Sequence, residues 1–104
     1  VLKLLSGDYV DGLVLKLMKC GGPINFLKMF HITKAFRKGV MIGCMYESNI
    51  SVTTGAYLAL ALPIDFVDLD TGHLDFVDDP ALGGVEIIDG CIENFFPLVL
   101  REDA

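Results

Sequence analysis

Basic residues are few in this sequence. Eight Lys and Arg face fourteen Asp and Glu, for a formal net charge of −6 over 104 residues. Neutralising a phosphate backbone takes clustered cations, so this balance argues against a nucleic-acid partner. No apolar run approaches the roughly 18–20 residues of a membrane-spanning helix. The opening Val1-Leu2-Lys3-Leu4-Leu5 is too short for a secretory signal and has no cleavage-like site after it. Cysteine is scarce too: Cys20, Cys44 and Cys91 are odd in number and carry no C-x-x-C spacing, which points to a reduced, cytoplasmic setting. Neither a G-x-G-x-x-G nor a Walker pattern occurs, and this disfavours a small flavodoxin-like binding domain. His31 and His73 fit no triad or zinc spacing and read as ordinary helix and loop residues. Internal repeats and low-complexity segments are absent as well.

What the chain does have is apolar surface. It is 53% hydrophobic, with a mean hydropathy of +0.56. A chain of this length forms at most one domain, and small domains bury a smaller share of their surface than large ones. Faces this apolar are expected to be covered by something outside these residues. The chain also begins without Met, inside what reads as a helix end. The expectation is a fragment.

Val1 to Leu5, followed by Ser6-Gly7-Asp8, reads as the last turn of a helix and its stop. Leu13 to Met18 is near-continuously apolar, the pattern of a strand buried on both faces of a parallel sheet. Gly21-Gly22-Pro23 breaks it, with proline suited to the first turn of the helix that follows. Ile24 to Phe36 carries an apolar stripe including Ile24, Leu27 and Phe30, with Lys28 and Lys34 on the wetter side. Gly39 ends that helix, and Val40 to Cys44 forms a second strand. After a polar loop, Tyr46 to Asn49, the residues Ile50, Thr53, Thr54, Tyr57, Leu58 and Ala61 recur at helical spacing and predict a core-facing side. Pro63 stops this helix, and Phe66 to Asp70 is a third strand. Strands separated by helices of this length imply right-handed parallel crossovers. Beyond Thr71-Gly72, Asp78-Asp79-Pro80 and Gly83-Gly84 read as loop. Val85 to Ile92 reads as a hairpin turning at Asp89-Gly90, and Glu93 to Ala104 shows no pattern.

Ligand sites in α/β folds lie at the C-terminal edge of the parallel strands, and the residues with chemistry collect there. Lys16 is a charge in an apolar strand, which is costly without a partner or a role. It either snorkels or pairs with Asp68 or Asp70, or it is a proton-transfer group. Asp68 and Asp70, at i and i+2, share one face near the end of the third strand. They are either solvated loop acids or a site for a cation, metal or ammonium. Cys44, Tyr46 and Glu47 follow the second strand; Cys44 lacks a local histidine that would make it a nucleophile. Lys19 with Gly21-Gly22 could cradle an anion, or is only a turn before a helix.

These segments resemble a known family. Val14-Leu15-Lys16-Leu17-Met18-Lys19-Cys20-Gly21-Gly22 is similar to the sixth-strand signature of the dipeptide epimerases, the L-Ala-D/L-Glu epimerase-like enzymes. These belong to the mandelate racemase/muconate lactonizing enzyme group of the enolase superfamily. Met41-Ile42-Gly43-Cys44-Met45-Tyr46-Glu47-Ser48 resembles their seventh-strand segment, and Asp68-Leu69-Asp70 the Asp-x-Asp after the eighth. Gly83-Gly84-Val85 and Asp89-Gly90 resemble the stretch after barrel closure. The likeness runs from about Asp8 to Ile92.

The resemblance implies an α/β fold: the C-terminal portion of a (β/α)8 TIM barrel, about strands six to eight, with a terminal hairpin and tail. Residues 1–72 would be the barrel segment and 73–104 the post-barrel hairpin and tail. A whole barrel takes about 250 residues. The resemblance further implies an isomerase that epimerises the α-carbon of a dipeptide residue, using Mg2+ and two lysines on opposite faces. Lys16 matches one of those lysines. Asp68 and Asp70 match the pair that binds the dipeptide's α-ammonium, while Cys44 and Tyr46 fall where contacts to the substrate side chain vary. The other lysine and the metal ligands belong to earlier barrel strands, so no metal ligand is expected in this chain, and the isolated chain is expected to be inactive. A different class of reading remains open, a non-catalytic α/β module that associates through exposed strand edges, as a homo-oligomer or with the missing barrel portion.

Overall fold

The computed structural model of the chain describes residues 1–70 and 78–102. The elements in order are α1 (Leu2–Ser6), β1 (Gly12–Lys16), α2 (Leu17–Cys20), α3 (Pro23–Ala35), β2 (Gly39–Gly43), α4 (Asn49–Ala61), β3 (Phe66–Val67), β4 (Ala81–Ile88) and β5 (Cys91–Leu100). The expected boundary at 72/73 and His73 lie outside the described residues.

The alternation of apolar strands and helices builds a parallel sheet in the order β1-β2-β3, with Lys16 opposite Gly43 and Ile42 opposite Val67. The ladder continues beyond the two residues of β3. Asp65 N–H donates to the Val40 carbonyl and Asp68 N–H to the Ile42 carbonyl, both at 2.9 Å. The third strand therefore delivers Asp68 to the sheet edge. β1 ends sooner than its apolar run predicts. The chain turns helical at Leu17, and this turn directs Leu17 and Cys20 into the core.

One sheet face carries Leu15, Val40 and Ile42, packed against Phe26 and Phe30 of α3 and Val52 and Ala56 of α4. Burying an aliphatic or Phe side chain fully stabilises by about 1.5–3 kcal/mol, so these contacts are the main cohesive force. On the other face Val14 is 55% exposed and Phe66 69%. With Met41 they line a shallow apolar hollow. A strand sequence this apolar is built to be covered on both sides, and here only one side is.

The helix faces match expectation only in part, at Phe30 and Thr53. Phe26, Phe30 and Thr33 are buried in α3, while Ile24 is 66% exposed. In α4 the buried set is Asn49, Val52, Thr53, Gly55 and Ala56, and Tyr57 is half-exposed, its ring centroid 5.0 Å from that of Phe95 in β5. Both helices are apolar nearly all round, so periodicity cannot select the side that meets the sheet.

The hairpin turn at Asp89-Gly90 is as expected. Both residues have positive φ, 50° and 78°, as a two-residue type I′ turn requires. The hairpin is longer than predicted, because Gly83-Gly84 lies within β4 and β5 runs on to Leu100. Its pairing shifts register between Leu82 and Gly84 and again between Glu86 and Ile87. Gly84 sits against α4; a Cβ there would lie 2.4 Å from Thr53 Oγ1, so only glycine permits the approach. Hydrogen bonds complete the docking. Val85 N–H donates to Thr53 Oγ1 at 3.1 Å, Asn49 Nδ2 to the Gly83 carbonyl, and Asn49 N–H to Asp79 Oδ2 at 2.7 Å. No helix among the described residues is long and apolar enough to cross a membrane.

Candidate active site

Parallel strands joined by helices all leave the sheet at the same edge, so β1, β2 and β3 carry their C-terminal residues to one place. Lys16 is the last residue of β1 and is partly buried. Its side chain crosses toward β2: a Cβ on Gly43 would be 3.2 Å from Lys16 Cε. Its ammonium donates to Met45 Sδ at 3.8 Å. Among the described residues Lys16 forms no ion pair, so pairing with Asp68 or Asp70 is not what keeps a charge in this strand.

Cys44 follows β2 directly. Its thiol lies 3.4 Å from Asp70 Oδ1 and 3.7 Å from the Asp68 carbonyl. Asp68 and Asp70 are exposed and flank the buried Leu69. Cys44 thus touches both Asp68 and Asp70, and Lys16 ends the adjoining strand, paired in the ladder with Gly43, the residue before Cys44. Tyr46 is not drawn in: it is 78% exposed on the loop after β2 and makes no hydrogen bond among the described residues.

The remaining candidates are structural. Cys20 is buried, and loss of solvent pushes its thiol up from the ordinary range. His31 packs edge-on against Phe30, ring centroids 5.3 Å apart. Lys19 is exposed, on the short helix that ends at Gly21.

Glu47 was legible as a polar residue following the second strand at the same edge as Cys44 and Tyr46, with no role assigned to it. It is 1% exposed. Its Oε2 accepts the Met45 N–H at 2.7 Å, and Oε1 accepts the Ser51 hydroxyl. The available signal was its place just ahead of a helix start, where a carboxylate finds unpaired N–H and hydroxyl donors.

Residues 1–95 match the family described as Enolase C-terminal domain-like. The chain belongs to this family. It is 46% identical over 85 residues to the hydrophobic dipeptide epimerase of Roseobacter litoralis, covering 76% of this chain and 24% of that protein. A mandelate racemase/muconate lactonizing protein from Herpetosiphon aurantiacus superposes with a TM-score of 0.82 at 31% identity, over 96% of this chain and 29% of that one. The dipeptide epimerase from Enterococcus faecalis V583, complexed with Mg and the dipeptide L-Leu-L-Tyr, gives a TM-score of 0.75 at 39% identity, over 82% of this chain and 24% of that one. The chain spans about a quarter of the length of the curated relatives it matches. Its three-stranded sheet is accordingly a portion of an enolase-type α/β barrel, and it does not close among the described residues.

The side chains of the described residues do not fit a Mg2+ site. Such a site needs several oxygen ligands in near-octahedral array. Among the described residues no group of three or more His, Cys, Asp or Glu side chains converges.

Proposed function

We propose that this chain is the C-terminal barrel portion of a dipeptide epimerase-like enzyme of the enolase superfamily, inverting the α-carbon of a dipeptide residue by lysine acid–base chemistry. The observation that supports the reading is the placement of Lys16, Cys44, Asp68 and Asp70 along one strand edge, with Cys44 touching Asp68 and Asp70, in a chain of this family. Lys16 as the free amine takes the α-proton: the C–H bond breaks, an N–H bond forms, and the electron pair moves into the adjoining carbonyl. As the ammonium it returns a proton to the same face. Asp68 and Asp70 hold the substrate's α-ammonium through charge-assisted hydrogen bonds. Cys44 and Tyr46 border the side-chain pocket. Inversion needs a second group on the opposite face, which the resemblance assigns to a lysine on another barrel strand. A divalent ion such as Mg2+, if bound, would be held by side chains of the earlier barrel strands and not by Lys16, Asp68 or Asp70, and would supply electrostatic stabilisation of developing negative charge. Alone, then, the chain catalyses no exchange. The odd cysteine count without C-x-x-C spacing supports a cytoplasmic setting.

The test replaces the corresponding C-terminal part of the Roseobacter litoralis relative with this chain and follows α-proton exchange of L-Ala-L-Glu and of hydrophobic dipeptides in D2O with Mg2+. Exchange is expected from the graft, is lost on Lys16→Ala, and is absent from the chain alone. A folded graft without exchange, or exchange that survives Lys16→Ala, would overturn the assignment.

The exposed Val14, Phe66 and Val67 favour a second reading, an association module whose open strands pair with a second copy or with the rest of a barrel. A monomer in size-exclusion chromatography would count against self-association.

A further inference from the structure

We propose that Glu47 is a positioning residue for Lys16, acting through Met45, with Gly43 as the floor beneath the lysine stem. The proposal rests on reading Lys16 as the proton-transfer group. A carboxylate that is 1% exposed is costly unless its oxygens are satisfied. Two of its bonds reach in opposite directions. Oε2 holds the Met45 backbone N–H at 2.7 Å, and Oε1 holds Ser51 in the first turn of α4. One buried group therefore clamps the loop after β2 to a helix packed on the core.

Met45 needs that clamp. Its side chain is 40% exposed, so packing alone does not fix it, yet its sulfur is the group that meets Lys16 Nζ, at 3.8 Å. The choice of sulfur has a chemical logic. A carboxylate at that position would favour a permanently charged lysine. A thioether is a weak acceptor that can orient an amine without that bias. Gly43, paired with Lys16 in the ladder, completes the seat. A Cβ there would come within 3.2 Å of both Lys16 Cε and Val14 Cγ1, so a side chain at this position would press on the lysine stem and displace it slightly.

The experiment labels the chain with [ε-13C]lysine and [methyl-13C]methionine. Met45 reports the loop, Lys16 the amine, and Met29 the packing of α3. Glu47→Ala is expected to shift the Met45 and Lys16 resonances while Met29 stays in place, and Glu47→Gln, which can still accept from Met45 and bond Ser51, restores both. Gly43→Ala is expected to shift Lys16 with Met45 less affected. If Glu47→Ala fails to fold, Ser51→Ala decides, with smaller shifts of Met45 and Lys16 in a common direction. A Lys16 resonance that stays put while Met45 moves overturns the proposal. So does movement of Met29 along with the rest, which marks a general structural role. These readouts are independent of turnover: an inactive graft with a displaced Lys16 sinks only the functional assignment.

Discussion

Thr53 Oγ1 accepts the backbone N–H of Val85 at 3.1 Å, and both residues are buried, at 2% and 1% exposure. The same hydroxyl donates to Asn49 Oδ1 at 3.1 Å. This one side chain joins α4 to the hairpin with both its donor and its acceptor in use.

Thr53→Val keeps the shape and removes the hydroxyl. It leaves the Val85 N–H and the Asn49 oxygen without that partner inside the protein, where each unsatisfied group costs about 1–3 kcal/mol. Urea unfolding of the chain is expected to show that loss with an unchanged denaturant slope, and Thr53→Ser to show much less. Equal stability of Thr53→Val and wild type would contradict the role given to this bond.

Asp65 sits at the start of the third strand. It is bonded by Lys34 Nζ at 2.5 Å and by the Val40 N–H at 2.8 Å. The lysine contact, with the backbone N–H second, holds its carboxyl below the usual carboxylate range. A carboxylate depressed by folding adds stability that is complete above its unfolded value, about 3.9, and is lost as pH falls through the folded value. Asp8, held down in the same direction by Lys38, adds to the same acid limb. Unfolding midpoints should therefore stay level from pH 7 downward and fall once the pH drops below about 3.9, and Asp65→Asn should flatten part of that fall. Both partners of the Lys34 pair are partly exposed, at 31% and 41%, so added salt should shrink the difference.

Phe26 and Ile24 test which side of α3 faces the sheet. Phe26 is fully buried, whereas Ile24 is 66% exposed. Phe26→Ala should cost about 3–5 kcal/mol, a large part of the roughly 5–15 kcal/mol that holds a domain together, and abolish cooperative melting. Ile24→Ala should stay within about 0.5 kcal/mol. The reverse order of effects would overturn the assigned face.

That pair also shows what the sequence could and could not tell. The β-α-β order and the Asp89-Gly90 turn were legible, because each rests on local chemistry: apolar runs, glycine breaks and the positive-φ preference of the turn; the strand ends were not, since β1 stops at Lys16 and β3 at Val67. The location of Lys16, Cys44, Asp68 and Asp70 at strand ends followed from the same alternation. Helix faces were legible only in part. In α3, Ile24, Phe26, Leu27, Met29, Phe30 and Ile32 surround the axis, and the packing partner alone decides which go inside. β5 was hidden for a related reason. Its strand character comes from pairing with β4 across two register shifts, not from alternation in Glu93 to Leu100. Glu47 and Asn49 looked like solvated loop because polarity was taken as exposure; both satisfy their hydrogen bonds inside the protein.

Asp68 and Asp70 lead to the remaining prediction, which concerns substrate charge. Both carboxylates are exposed at the strand edge, with Cys44 Sγ 3.4 Å from Asp70. If they hold an α-ammonium, the interaction depends on that positive charge. In the grafted enzyme Asp70→Asn should raise KM for a free dipeptide about ten- to a hundredfold, since a hydrogen bond to a charged group contributes about 1.5–3 kcal/mol. An N-acetylated dipeptide lacks the ammonium, so it should be a poor substrate for wild type and lose little further on substitution. Cys44→Ala should raise KM more weakly, by freeing Asp70 to turn, and Cys44→Ser should recover it. Equal losses with free and acetylated dipeptides would mean that the carboxylates do not read the charge, and their place at the edge would need another explanation.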